Sequence, residues 1–224
     1  MAGKNIRSAI DIGGTFTDLA SYDSDTRSVR FEKSLTTPLA LQEAVLSCFT
    51  KGKIDLSRLD HFVHGSTVAI NAVIQKNGAK TALITTDGFK DLYQVGRANR
   101  PDTYNLFFEK PTPLVPTNLC FPVKERVTAQ GKVYAPLTEP EIHRIVQVIK
   151  SANVEAIAVC FMHSYANAAH EKLIGKALRK AFPSLFITLS HEILREYREF
   201  ERTSTTVLNA YVGLQVTTYL IHIF

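Results

Sequence analysis

The sequence predicts an α/β chain of layered sheets and helices. Short apolar runs of strand character alternate with stripes at helical spacing along most of its 224 residues. The first of those runs ends in the glycine-containing stretch Ile10-Asp11-Ile12-Gly13-Gly14-Thr15-Phe16-Thr17-Asp18. Composition agrees, with 45% hydrophobic and 21% charged residues, ordinary for a globular protein with a packed core.

Residues 7–12 read as a buried strand, apolar at the end and followed by glycine. Gly13 and Gly14 allow positive φ and let a ligand approach bare backbone N–H groups. Asp11 places a carboxylate where a hydrated Mg2+ on a nucleotide phosphate would sit, and Thr15 and Thr17 add hydroxyls. Phe16 and Leu19 predict a returning strand, so the motif is a hairpin and not a strand–helix turn. On these residues alone two readings stay open: a phosphate loop, or a plain Gly-Gly hairpin with Asp11 and Asp18 solvated.

Further along, residues 29–33 predict a third strand. Leu41, Ala44, Val45 and Cys48 recur at helical spacing after Pro38, a residue suited to a first helical turn. Residues 61–64 predict a short strand and 68–75 a helix, with Gly78 closing that helix in the C′ position. Residues 81–85 are the next strand. Ile142, Ile145, Val146 and Ile149 form a helical stripe with Glu139 and Glu141 near its positive end. Residues 156–161 predict a buried strand, Leu173, Ile174, Ala177 and Leu178 a helix, residues 186–189 a strand and 203–219 a last helix. Residues 96–122 are rich in proline and lack periodicity, which predicts a binding loop or lid. The apolar tail after residue 219 stops abruptly, so the chain reads as cut short.

Three clusters carry chemistry. His64-Gly65-Ser66-Thr67 sits at a predicted helix N-terminus and reads as an anion site; the alternative makes Ser66 the N-cap and His64 an end-of-strand residue. Arg97, Asn99 and Arg100 share one loop and form either a clamp for a carboxylate or phosphate, or a solvated turn. Residues 197–203 are dense in charge and read as a solvated helix face.

Several classes are excluded. The net charge of +5 is scattered, without a basic run or interleaved aromatics, so the chain is not a nucleic-acid module. Cys48, Cys120 and Cys160 are far apart, which argues against zinc and a disulfide framework; Cys48 and Cys160 read as core residues. His61 and His64 point to opposite faces of a strand and share no metal. There is no GxxxxGK[ST], no GxGxxG after a strand and no GxSxG. The N-terminus lacks an apolar core, and no stretch approaches roughly 18 apolar residues, so the expectation is a cytoplasmic protein without a membrane partner.

Taken in order, Asp11 to Asp18, residues 64–69, residues 96–101, Leu106-Phe107-Phe108-Glu109-Lys110-Pro111 and residues 201–211 closely resemble the N-terminal part of the hydantoinase A/5-oxoprolinase family, which includes acetone carboxylase β subunits. The resemblance runs from about residue 7 to about residue 219. It implies an actin-like, sugar-kinase-like ATPase fold, in which two RNase-H-like domains close around Mg·ATP. It also implies ATP-dependent phosphorylation of a carbonyl or amide oxygen, followed by ring opening or carboxylation.

On the resemblance, ATP and Mg2+ are the cofactors. Asp11 orients the metal through water, while Gly13, Gly14, Thr15 and Thr17 hold phosphates. His64, Ser66, Thr67, Arg97, Asn99 and Arg100 are candidates for a cyclic amide substrate, and the catalytic residues stay unassigned. A hydantoinase B-type subunit and a homo- or hetero-oligomer are the implied partners. Residues 5–190 correspond to the N-terminal domain and 191–224 to the start of the core domain. The sequence has Ser66 where threonine is more usual, and it lacks the family's second Asp-x-Gly-Gly-Thr loop. Three readings therefore stand: an ATP-dependent amidohydrolase, a non-catalytic fragment that binds a partner, and a small-molecule kinase of the same fold.

Overall fold

A computed structural model describes residues 4–37, 40–97, 99, 102 and 104–223, with side chains to Ile221. It divides into two compact units, one of Met1–Asn77 with Gln215–Phe224 and one of Gly78–Leu214.

The first unit begins with β1 (Ile6–Ile12), β2 (Phe16–Asp23) and β3 (Ser28–Leu35), each antiparallel to the one before. Helix α1 (Leu41–Lys51) follows, and β4 (Leu59–Ser66) then pairs parallel to β1, giving the order β3-β2-β1-β4. This β-β-β-α-β arrangement in a mixed sheet is RNase-H-like. Strict alternation along β1 sends Ile6, Ser8, Ile10 and Ile12 inward. Val45, Cys48 and Phe49 of α1 meet Ile10, Ile12 and Leu19 on that face, at about 1.5–3 kcal/mol for each large side chain buried. Tyr219 joins the same cluster. The proposed role of Pro38 in starting α1 lies outside the described residues.

After β4 comes α2 (Val68–Ile74). Gly78 does not close it. Lys76 does, in the left-handed region at φ 53°. The Lys76 amide donates to Val73 O at 3.3 Å and the Asn77 amide to Ala72 O at 3.2 Å, which is the Schellman pattern. Gly78 is small for a different reason: a Cβ there would lie 2.2 Å from the Tyr211 ring.

The second unit is a parallel sheet in the order β10-β9-β5-β6. Its elements are β5 (Thr81–Thr86), the short α3 (Leu92–Val95), β6 (Cys120–Val123), the hairpin β7 (Arg126–Val127) and β8 (Val133–Ala135), and α4 (Glu139–Ala152). They continue with β9 (Ala156–Cys160), α5 (Ala169–Ala181), β10 (Phe186–Leu189) and the short α6 (Ser190–Ile193). The last helix, α7 (Glu199–Ile223), is longer than the predicted 203–219 and contributes to both units. Ile142, Ile145 and Ile149 of α4 join Ile174 and Leu178 of α5 over one sheet face. Val207 and Ala210 of α7 pack with Leu83, Ala158 and Cys160 on the other. The strands β5 and β9 are buried along their whole length, as parallel strands covered on both faces must be. Among the described residues no helix is long and apolar enough to cross a membrane.

Candidate functional site

The carboxyl end of β1 organises the site in the first unit. Ile12 faces Thr17 across the hairpin, so Gly13, Gly14 and Thr15 form the connecting loop. The loop is closed by the Gly13 amide donating to Phe16 O at 2.9 Å. The Thr36 hydroxyl donates to Gly13 O at 2.9 Å, and the Thr36 amide to Thr15 O at 2.9 Å. The amides of Gly14 and Thr15 and the Thr15 hydroxyl have no partner among the described residues, and both residues are exposed.

Asp11 stands between two register partners, Asp18 on β2 and Gly65 on β4, and Lys33 on β3 follows beyond Asp18. All four share the sheet face opposite α1. Lys33 Nζ lies 3.0 Å from Asp18 and 5.0 Å from the Phe16 ring centroid. Asp11 has no ion pair among the described residues, and its Oδ1 is 3.4 Å from where a Cβ at Gly65 would be. A shallow cavity of about 460 Å3 lies on this face, lined in part by Asp11, Asp18, Lys33 and Gly65.

Gly14 is held tight from the other side. A Cβ there would meet Asn71 Nδ2 at 3.0 Å. Asn71 Nδ2 donates to Thr67 Oγ1 at 3.0 Å, while the Thr67 hydroxyl and amide both donate to Ile12 O, at 3.3 and 3.1 Å. The start of α2 is thereby pinned to the end of β1. The Ser66 hydroxyl accepts from the Val68 amide at 3.2 Å.

Two residues given a site role by sequence turn inward. Thr17 is fully buried, with its hydroxyl 3.0 Å from Thr36 Oγ1, because pairing with inward-facing Ile12 fixes its face. His64 pairs with inward-facing Ile10 and packs between Phe62 and Tyr219, at ring distances of 6.3 and 5.7 Å. Gly65 belongs to the cluster that the sequence read as an anion site, whereas Asp18, read only as a solvated turn residue, and Lys33 were not among the sequence candidates. The hairpin register could have supplied Asp18, since a loop of residues 13–15 sets it opposite Asp11.

Arg97 and Asn99 belong to the second unit. Arg97 Nε donates to Glu201 at 2.7 Å, and this bond holds the Glu201 carboxyl below its usual range. Asn99 is exposed, and Arg100 lies outside the described residues. The charge run 197–203 is not a solvated face throughout. Arg202 is fully buried, donating from Nη1 to Phe161 O at 2.9 Å and to the hydroxyls of Ser164 and Ser190. Ser190 in turn donates to Glu171 at 2.7 Å.

All three cysteines are free and buried, and burial pushes the Cys120 thiol up to about 11, so none is poised as a nucleophile. Among the described residues no cluster of His, Cys, Asp and Glu could hold a metal by itself. A cation at Asp11 would therefore need oxygens from outside the protein, as Mg2+ on a phosphate has.

Fold and site together define an α/β protein whose RNase-H-like first unit presents a carboxylate beside a glycine loop. The chain belongs to the hydantoinase/oxoprolinase family, matching its N-terminal region over residues 7–182. It is 39% identical over 217 residues to an uncharacterised protein of Methanocaldococcus jannaschii, covering 96% of this chain and 32% of that one. It is 32% identical to the caprolactamase subunit alpha of Pseudomonas jessenii, covering 98% of this chain and 33% of the relative. The crystal structure of that ATP-dependent caprolactamase superposes with a TM-score of 0.85 over 97% of this chain and 33% of the other. Nucleotide-free acetone carboxylase gives 0.86 at 25% identity, over 98% and 34%. The chain thus spans about a third of the length of these relatives. Several relatives are named as subunits of larger enzymes.

Proposed function

We propose that the chain is the phosphate-holding part of an ATP-dependent enzyme that opens cyclic amides, of the 5-oxoprolinase or hydantoinase kind. The observation that carries this reading is Asp11: an exposed carboxylate at the end of β1 that has no ion pair among the described residues, next to a loop whose Gly14 and Thr15 amides and Thr15 hydroxyl have no partner among them. The relatives support it, since they include 5-oxoprolinase of Saccharomyces cerevisiae and an ATP-dependent caprolactamase.

The residues present fit Mg·ATP. When bound, it would supply a phosphoryl group to the amide oxygen, leaving ADP and making the amide carbon open to water, with phosphate lost as the ring opens. Asp11 would hold the metal through its water shell. The Gly14 and Thr15 amides and the Thr15 hydroxyl would donate to phosphate oxygens and neutralise charge that builds during transfer. Gly13 closes the loop, and Asn71 and Thr67 fix Gly14 from behind. Thr17 acts by holding Thr36.

Ser66 and Thr67 at the β4–α2 junction are candidates for substrate contact, and so, separately, are Arg97 and Asn99. A hydantoinase B-type subunit would complete a hetero-oligomer in the cytoplasm. The test is a titration of the chain with Mg·ATP, read at its backbone amide resonances. Saturable shifts centred on Gly14 and Thr15 are expected. Shifts elsewhere, or none at millimolar ATP, contradict the reading.

A further inference from the structure

The sheet of the second unit grows outward from two neighbouring parallel strands, β5 and β9. From β5 the chain moves to β6, packing Tyr93, Leu114 and Val115 with the apolar cluster of Leu83 and Ala158. From β9 it moves to β10 through α5, whose Ile174 and Leu178 lie on the opposite face with Ile84 and Val159. Connections that part to opposite faces leave a crevice at the carboxyl ends, which is where open α/β sheets take ligands.

That crevice is a cavity of about 600 Å3. Asp87 after β5, His163 after β9, and Arg126 and Tyr134 of the β7–β8 hairpin form its walls. Both loops turn through left-handed residues, Gly88 at φ 84° and His163 at φ 57°, and the His163 ring is held by the Tyr165 hydroxyl at 3.1 Å. Glu125 also lines it, from a floor where its carboxylate is fully buried between the Thr86 hydroxyl and His170 Nδ1, the latter at 2.6 Å. Thr86 Oγ1 also accepts the Met162 amide at 2.9 Å, and His170 Nε2 accepts the Leu137 amide at 3.4 Å. The floor therefore ties β5, the β9 loop, the β6 end and α5 into one rigid piece, as a binding site requires.

The walls carry opposite charges that do not pair with each other. Arg126 lies 4.7 Å over the Phe89 ring and has no carboxylate partner among the described residues. A guanidinium stacked this way keeps its edge N–H groups for a carboxylate. Asp87 accepts the Gly88 amide at 3.1 Å; it forms no ion pair among the described residues, though the Arg144 guanidinium lies near enough to feel its charge. We propose that this crevice binds a small zwitterion of the α-amino-acid kind, its carboxylate on Arg126 and its ammonium on Asp87. The site lies wholly within the second unit and does not rest on the phosphate-loop reading.

The chain is titrated separately with each common L-amino acid up to about 10 mM, weak binding being in reach at that level. The readout is the amide resonances of Gly88, Arg126 and His163. At least one amino acid should bind saturably there, and its deaminated and decarboxylated analogues should bind about tenfold or more weakly. Asp87→Asn and Arg126→Gln should each weaken binding about tenfold while keeping the wild-type unfolding midpoint. No binding by any amino acid overturns the proposal, as does equal binding by both single-charge analogues or unchanged affinity in both variants.

Discussion

Asp11 lies directly across the β1–β2 ladder from Asp18, and among the described residues only Asp18 of the two has an ion pair, with Lys33 at 3.0 Å. Like charges opposite each other on a sheet cost about 0.2–1 kcal/mol. Asp11→Asn should therefore stabilise the chain by that amount in metal-free buffer, read as a higher urea midpoint. Loss of stability in this variant would mean that Asp11 has a structural partner.

Gly78 and Gly213 are filled by rings, with a Cβ at either lying 2.2 Å from Tyr211 or Phe186. Alanine at either site should cost about 1–3 kcal/mol by overpacking. Thermal unfolding checks this, and Gly78→Ala combined with Tyr211→Leu should recover part of the loss. A neutral Gly78→Ala would show that the ring can move.

Much of the fold was legible because periodicity reports burial: β1, α4, β9 and α5 lie where their apolar spacing placed them. The glycine loop was legible because Gly-Gly after a strand marks a turn, but neither glycine takes positive φ; both are small because a Cβ would lie 3.0 Å from Phe16 O or Asn71 Nδ2. Which face a residue takes was harder. Thr17 and His64 turn inward because of register with Ile12 and Ile10, and register depends on partner strands that local spacing does not reveal. The cap at Lys76 was hidden because a lysine in the left-handed region has no sequence signature, while Gly78 nearby did. Arg202 sat in a run of charges that gives no sign of a buried acceptor set.

Arg202 bridges the β9 end to Ser190 and through it to Glu171, all fully buried. Glu171 itself pairs with His191 Nδ1 at 2.7 Å and meets the Arg202 charge only through Ser190, so Arg202→Met, which strips Phe161 O, Ser164 and Ser190 of a buried charged donor, should cost about 1–3 kcal/mol. Adding Glu171→Gln should restore part of the stability, measured by denaturant unfolding. Additive losses would show that the two do not act as a unit.

The Glu141 carboxyl is held below its ordinary value of 4.5, first by hydrogen bonds from Arg144 at 2.7 and 3.0 Å, against the opposing effect of burial, and then by the Lys124 amide at 2.9 Å. A depressed value in the folded state means that the unfolded chain binds more protons between the two values. Stability from Glu141 is thus present above about 4.5 and lost as pH falls through the folded value. Glu141→Gln should lower stability at neutral pH and flatten the acid side of the stability profile. An unchanged acid slope would place the pair outside the stability balance.

The most direct test compares Mg2+-dependent ATP affinity in the wild-type chain, Asp11→Asn and Asp18→Asn by calorimetry. The wild type should bind Mg·ATP more tightly than ATP in chelator. Asp11→Asn should lose that metal-dependent gain, a change of about tenfold or more, because its carboxylate is the unpaired one. Asp18→Asn should keep most of it, since Lys33 already occupies Asp18. Equal Mg2+ dependence in wild type and Asp11→Asn would contradict the assignment of Asp11 as the residue that holds the metal.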